Sequence, residues 1–323
     1  MGTHWLGASD AVAVAELIRD GHTESLHQGV LAVVDASGHT LLEAGNSDAI
    51  VYPRSTLKPL QALAVLETGV TLSPLQLTLT TASHCGSNQH REAVLDFLAE
   101  WGLNESALQC PQDLPLGISE RAQFLAEGRE PSRVAMNCSG KHAGFLAACI
   151  HAGYSTDDYL APEHPLQRGI VDTITRYAGE APAFTSRDGC GAPLHALSVR
   201  GLALASARVA AGNTPNEKLL LSAVRENAWA IDGEGRDNTV TIETLGGIAK
   251  IGAEGLVVIG TPSGVAVAIK ILDGSMRATS LVALAALRKV GAISAEVATT
   301  VSARMAVPVT GGDAIIGGLE VRL

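Results

Sequence analysis

Two apolar runs between positions 29 and 45 flank Asp35-Ala36-Ser37-Gly38, a pattern that predicts a β-hairpin near the start of the chain. Leu60, Leu63, Ala64 and Leu66 then recur at helical spacing up to Gly69, which predicts a helix stopped by a glycine. From 70 to 230 the texture is mostly helical, with apolar residues at 3.6-like spacing over 89–101, 141–152, 164–177, 193–210 and 216–230. After Gly246 it changes to β-type runs over 247–252, 255–260 and 264–272, then an Ala/Leu-rich helix over 276–290 and a last strand near 315–321. Strands at both ends and helices between them predict an α/β (α+β) fold. Residues 1–69 and 231–323 would form a discontinuous sheet-containing lobe, with a mainly helical lobe, 70–230, inserted.

Composition narrows the partners. The 323 residues are 46% hydrophobic, enough for a well-buried core. A formal charge of −10 speaks against nucleic acid and anionic membranes and favours a small-molecule substrate. No basic leader followed by an apolar stretch opens the chain, and no run of about 18 apolar residues occurs, so a soluble cytoplasmic protein is expected. Cys85, Cys110, Cys138, Cys149 and Cys190 are an odd number in a chain too large to need stapling, which predicts thiols or metal ligands and no disulfides.

The densest chemistry lies in Tyr52-Pro53-Arg54-Ser55-Thr56-Leu57-Lys58-Pro59-Leu60-Gln61. In a helical turn an i,i+3 spacing stacks Ser55 and Lys58, so that a neutral lysine can take the hydroxyl proton as the oxygen attacks a carbonyl carbon. Ser55 is therefore the leading nucleophile. Lys58 must be desolvated or lie near a second cation to become neutral. Pro59 pushes the preceding residue from helical angles, so the regular helix is expected to begin at Pro59 and the Ser55–Lys58 turn to be 3₁₀ or irregular. Four other polar, glycine-flanked stretches are candidates for the same cleft: 81–88, 136–144, 187–191 and 268–274. Cys138-Ser139-Gly140-Lys141-His142 opens an amphipathic helix, whose N-terminus lowers thiol pKa and favours anions. Lys270 alternates with apolar neighbours in a strand and would point into a cleft, where it could act as the second cation. Cys138 and Cys190 with a third N or O donor would suit zinc, although their separation matches no short zinc-finger pattern. Taken one at a time, each has a plainer reading: a helix cap at Ser83-His84, buried thiols at Cys138 and Cys190, a surface lysine at Lys270.

Taken together, the blocks resemble the Rhizobium etli-type, or class 3, L-asparaginases of the asparaginase II family. The similarity runs through Arg54-Ser55-x-x-Lys58-Pro59, Ala82-Ser83-His84, Asn137-Cys138-Ser139-Gly140-Lys141-His142, Asp188-Gly189-Cys190, Gly233-Glu234-Gly235-Arg236, Lys250-x-Gly252-Ala253, Lys270-x-x-Asp273-Gly274 and Thr310-Gly311-Gly312. It implies a fold like that of serine β-lactamases and serine glutaminases, hydrolysis of L-asparagine to aspartate and ammonia, and a homodimer. It also implies two serine–lysine tandems, Ser55 with Lys58 and Ser83 with Lys270, and a zinc ion, one per chain, on Cys138, Lys141, Cys190 and water. Arg54, His142 and Asp188 match positions near the family's pocket. By charge complementarity Arg54 would take the substrate carboxylate and Asp188 its ammonium.

The chain departs from the family pattern at Cys85-Gly86-Ser87-Asn88 and at Pro111-Gln112-Asp113, which bears on pocket polarity and leaves every proposed nucleophile, base and ligand in place. β-Lactamase chemistry is disfavoured because S-D-N and K-T-G are absent and Lys270 precedes Ile271-Leu272. A glutaminase or other ω-amidase is the nearest rival, since one methylene in a pocket is worth only about 1–3 kcal/mol. A catalytically silent zinc-binding homologue is the other.

Overall fold

Eleven strands and eleven α-helices follow one another in the computed structural model, which describes residues 4–306 and 308–323. The strands are β1 (Val12–Arg19), β2 (His22–Asp35), β3 (Thr40–Ala44), β4 (Ile50–Val51), β5 (Phe184–Arg187), β6 (Pro193–Ser198), β7 (Ile248–Gly252), β8 (Leu256–Gly260), β9 (Val265–Ile271), β10 (Val309–Gly311) and β11 (Ala314–Val321). The helices are α1 (Lys58–Glu67), α2 (Pro74–Thr81), α3 (Asn88–Glu100), α4 (Ile118–Ala126), α5 (Ser139–Ala152), α6 (Pro165–Ala178), α7 (Val199–Ala211), α8 (Pro215–Glu226), α9 (Asp237–Leu245), α10 (Thr279–Lys289) and α11 (Ala295–Met305).

The long strand β2 organises the main sheet. One edge of it pairs antiparallel first with β1 and then with β3, and the other edge pairs with β9 through Gly29↔Ile271 to Asp35↔Val265. The full order is β10-β11-β1-β2-β9-β8-β7, so the two chain ends interleave in one sheet. Val30 to Val34 are wholly buried, as expected of a strand covered on both faces. Helices α7 and α10 pack against β8 and β9. A second, three-stranded sheet, β4-β6-β5, joins the segment before Ser55 to the segment around Cys190.

The α/β architecture agrees with the sequence reading, including the hairpin turn after Asp35. The exception is 193–210, which divides into strand β6 and helix α7. Ser198 ends the strand and its side chain accepts the Gly201 N–H, an N-cap that a continuous helix would bury unused. Helix α7, which falls within 70–230, packs on the sheet against β2, β8 and β9 and also against α6.

Helices α1, α2 and α5 form the wall behind the site. Gly140 and Gly144 set how closely α5 approaches α2, because a Cβ at Gly140 would collide with the Leu79 carbonyl and one at Gly144 with the Thr80 side chain. The approach brings the first turn of α5, with Cys138 and Lys141, beside the segment that follows α2, where Ser83 sits. All five cysteines are free thiols.

Candidate active site

Ser83 follows α2 in an extended segment pinned from two sides. Its N–H donates to Ile231 O at 2.9 Å, that of His84 to Asn137 O at 3.1 Å and that of Cys85 to Asp232 O at 2.7 Å. The side chain is 8% exposed and stands between two buried amines. Lys58 Nζ donates to Ser83 Oγ at 2.8 Å, to Cys138 Sγ at 3.1 Å and to Ala82 O. Lys250 Nζ lies 2.9 Å from the same oxygen and donates to Ile251 O at 2.9 Å. Burial first, and the Lys58 charge second, depress the Lys250 ammonium to about 7. Lys250 is thus poised to be a neutral amine near neutral pH, able to accept the Ser83 hydroxyl proton while Lys58 donates to the oxygen.

Ser55 lies in a 3₁₀ turn, Arg54–Leu57, and α1 begins at Lys58 with Pro59 in its first turn. The 3₁₀ turn is as expected, but Lys58 keeps helical angles, φ −59° and ψ −35°, so the helix begins one residue before Pro59 and not at it. Arg54, immediately before Ser55, holds φ at +51°, a left-handed conformation that costs a non-glycine residue free energy and clusters at functional sites. Ser55 is half-buried and lines a cavity of about 280 Å³ together with Ser83, Asn137, Cys138, Asp188 and Cys190. Among the hydrogen bonds of the described residues, Lys58 Nζ is joined to Ser83 and not to Ser55, whose hydroxyl faces the cavity without a protein partner.

Lys270 takes a different position from the one expected. Its Nζ donates to Ile271 O at 2.9 Å and to Glu254 O, so it ties down the turn between β7 and β8, and it lines another cavity. The lysine beside Ser83 is Lys250. Lys270 and Lys250 are both lysines in apolar strands, and periodicity alone does not rank them. The distinguishing signal is Lys250-Ile251-Gly252, which differs from K-T-G only at its middle residue.

Two further residues carry no sequence signal of their own. Asn238 Oδ1 accepts the Ile251 N–H at 2.8 Å, and its Nδ2 donates to Asp232 Oδ2 at 3.2 Å. Asp232 Oδ1 accepts from Arg236 Nε at 2.7 Å. Through its backbone the segment 231–232 holds Ser83 and Cys85, and through Asn238 it holds the strand that carries Lys250. One short stretch therefore sets both sides of the Ser83–Lys250 contact.

Cys138, Lys141 and Cys190 are brought together. Lys141 Nζ donates to Cys190 Sγ at 3.0 Å, and all three side chains are buried. The neighbouring Cys138 thiol, followed by the Lys141 charge, outweighs burial and holds the Cys190 thiol well below its ordinary value. The Cys138 thiol is pushed up by Cys190 and by burial. Burial works against the Lys141 ammonium, but the two sulfurs outweigh it and raise its pKa. His142 Nδ1 is 2.7 Å from the Tyr159 hydroxyl, while its Nε2 is buried without a hydrogen-bond partner, close enough to Cys190 for each to influence the other's titration. Two sulfurs and an amine suit zinc, which favours N and S ligands. Among the described residues no group of three or more His, Cys, Asp and Glu side chains is arranged to hold a metal, so a metal here needs Lys141 as the third ligand. Arg54 Nε donates to Asp188 Oδ1 at 2.8 Å, and this pair forms the outer wall of the serine cavity.

Two serines, two buried lysines and a cavity that both serines line are the equipment of an acyl-transfer hydrolase. The chain matches the L-asparaginase II family over residues 15–321 and belongs to it. No curated protein matches the chain in sequence. Among solved structures, Mglu in its glutamate form superposes with a TM-score of 0.47 at 14% identity, covering 82% of this chain and 60% of that one. A candidate β-lactamase from Bacteroides dorei DSM 17855 gives 0.43 at 14% identity, covering 84% and 93%. EstCE1, a hydrolase with promiscuous acyltransferase activity, gives 0.36 at 11% identity, covering 90% and 93%. The chain thus spans about 60% of the length of Mglu. No helix is long and apolar enough to cross a membrane among the described residues.

Proposed function

We propose that the protein hydrolyses the side-chain amide of L-asparagine to aspartate and ammonia through an acyl-enzyme on Ser55. The observation that carries this reading is the placement of Ser83 Oγ between Lys58 and Lys250 in the cavity that Ser55 lines. Ser55 attacks the amide carbon because its hydroxyl is free and faces the cavity, whereas the Ser83 hydroxyl and N–H are already engaged. The Ser55 proton passes into the Lys58–Ser83–Lys250 chain as the C–O bond forms. It is returned to the leaving nitrogen, which departs as ammonia when the C–N bond breaks. Water then attacks the ester, gives its proton to the same chain, and restores the Ser55 hydroxyl as aspartate leaves.

Arg54 and Asp188 would exchange their mutual bond for the substrate's α-carboxylate and α-ammonium. Cys138, Lys141 and Cys190 would hold one zinc ion, with water completing the set. When bound, zinc would supply a fixed positive charge that orients the substrate. Lys141 must lose its proton to ligate, so the ion and the Lys141–Cys190 hydrogen bond are alternatives. The reading retains the Rhizobium etli-type subgroup, a homodimer and a cytoplasmic location as parts of the proposal.

A second reading, direct attack by Ser83, is favoured by the two amines on its oxygen. Ammonia release from purified protein, run with asparagine, glutamine and a chromogenic β-lactam, tests the assignment. Turnover of asparagine well above glutamine supports it. Equal kcat/KM for the two amides points to a general ω-amidase, and no turnover of either to a silent homologue.

A further inference from the structure

A larger cavity, about 500 Å³, lies on the other side of the Arg54–Asp188 pair and contains neither serine. Its walls are unusual for this chain. Only 3% of the residues are aromatic, yet Trp5 and Tyr52 both line the cavity with ring centroids 5.0 Å apart, and Phe184 meets Trp5 edge-on at 6.3 Å. Among the described residues Trp5 and Phe184 remain 40% and 52% exposed, an apolar surface open to a ligand. The charged lining is asymmetric. Arg54, Arg187 and Lys270 face Asp188 and Glu254, and once Arg54 and Asp188 have paired, two cations remain against one anion. Lys270 uses its ammonium on two main-chain oxygens, leaving one N–H direction for a ligand. The cavity is therefore built for an aromatic or large apolar group that carries one carboxylate, and it adjoins the place where the α-carbon of asparagine would rest.

We propose that this outer cavity is a subsite for a residue joined to the α-carboxyl of asparagine, so that the protein takes asparaginyl dipeptides of the Asn-Phe type. The phenyl ring would lie against Trp5 and Tyr52, the terminal carboxylate at Lys270, and the asparagine ammonium at Asp188, with Arg54 donating to the peptide carbonyl. The reaction is unchanged: Asn-Phe and water give Asp-Phe and ammonia, and the peptide bond stays intact. This inference rests on the side-chain amidase reading above.

The test compares kcat/KM for asparagine, Asn-Gly and Asn-Phe, by ammonia release, in the wild type and in the Trp5→Ala and Lys270→Gln variants. Expected is a preference for Asn-Phe over Asn-Gly of about tenfold, the scale of one aromatic contact, the terminal carboxylate being common to both. Trp5→Ala should lose that preference through KM, Lys270→Gln should raise KM for both dipeptides, and both variants should keep their rate on free asparagine. Asn-Phe no better than Asn-Gly, or indifferent to both variants, overturns the subsite while asparagine turnover leaves the amidase reading standing. If asparagine itself is not turned over, the amidase reading has failed. The subsite is then judged by titrating Asp-Phe against tryptophan fluorescence, where saturable binding weakened by Lys270→Gln, which keeps Trp5 as reporter, upholds it and its absence in the wild type rejects it. A second copy of the chain closing over Trp5 would give that negative result.

Discussion

Lys250 Nζ and Ser83 Oγ stand 2.9 Å apart although 167 residues separate them in sequence, and the amine is buried beside a second ammonium. Its pKa of about 7 sets the pH dependence of the proposed reaction. The base must be neutral, so kcat/KM should rise as pH passes through about 7 and level off above it. Lys250→Arg keeps the positive charge but cannot be deprotonated, and should lower kcat by about 10²- to 10⁴-fold. A profile flat from pH 5 to 9 would remove Lys250 from the proton path.

The same shift has a cost in stability with a definite sign. In the unfolded chain a lysine stays protonated to about 10.4, whereas in the fold Lys250 loses its proton near 7. The penalty for burying the charge is complete below 7 and fades as pH rises towards 10. Lys250→Met should therefore melt higher than wild type at pH 6, by a margin that shrinks towards pH 10. A margin that widens with pH would contradict the assignment.

Asn238 and Asp232 should act on activity through Lys250. Asn238→Ala leaves the Ile251 N–H unpaired and should cost about 1–3 kcal/mol of stability, along with a fall in kcat. Asp232→Asn removes an anion that raises the Lys250 pKa, so the activity profile should move to lower pH. Circular-dichroism melts and a pH–rate profile check both. An unmoved profile in Asp232→Asn would mean that the carboxylate serves structure alone.

Residues with strong local signatures declared themselves in the sequence. Gly69 stops α1, the turn after Asp35 joins β2 to β3, and the β7, β8 and β9 runs are apolar and glycine-bounded. Ser55, Lys58, Cys138 and Cys190 could be picked out because each sits in a short polar block. Contacts made across long sequence separations are harder to read: Lys250 and Lys270 both lie in apolar strands and are told apart in sequence only by the Gly252 that follows Lys250-Ile251, and Asn238 matters through a backbone N–H that no pattern marks. β1, which pairs with its neighbour β2 and with β11 at the far end of the chain, is also absent from the sequence reading.

Gly144 illustrates a constraint that opposes propensity. Alanine in a helix is favoured over glycine by about 1 kcal/mol. At this position a Cβ meets the Thr80 side chain, so Gly144→Ala should nevertheless lower stability, by about 1–3 kcal/mol, as α5 is pushed from α2. Denaturant unfolding measures it, and a more stable variant would show that the two helices can separate freely.

For the metal, elemental analysis should find one zinc per chain, and Cys190→Ala should lose it. The thiolates and the Lys141 amine capture protons as pH falls, so zinc should be released on acidification. Chelation should raise KM more than it lowers kcat. A Cys190→Ala variant holding a full equivalent would discard this donor set and leave the serine–lysine chemistry untouched.

The most direct test of the central claim is to quench the protein in acid during asparagine turnover and locate the acyl group by peptide mass spectrometry. An aspartyl ester on the peptide containing Ser55, absent in Ser55→Ala and still formed, more slowly, in Ser83→Ala, is the predicted result. An ester on Ser83, or undiminished turnover by Ser55→Ala, would contradict it.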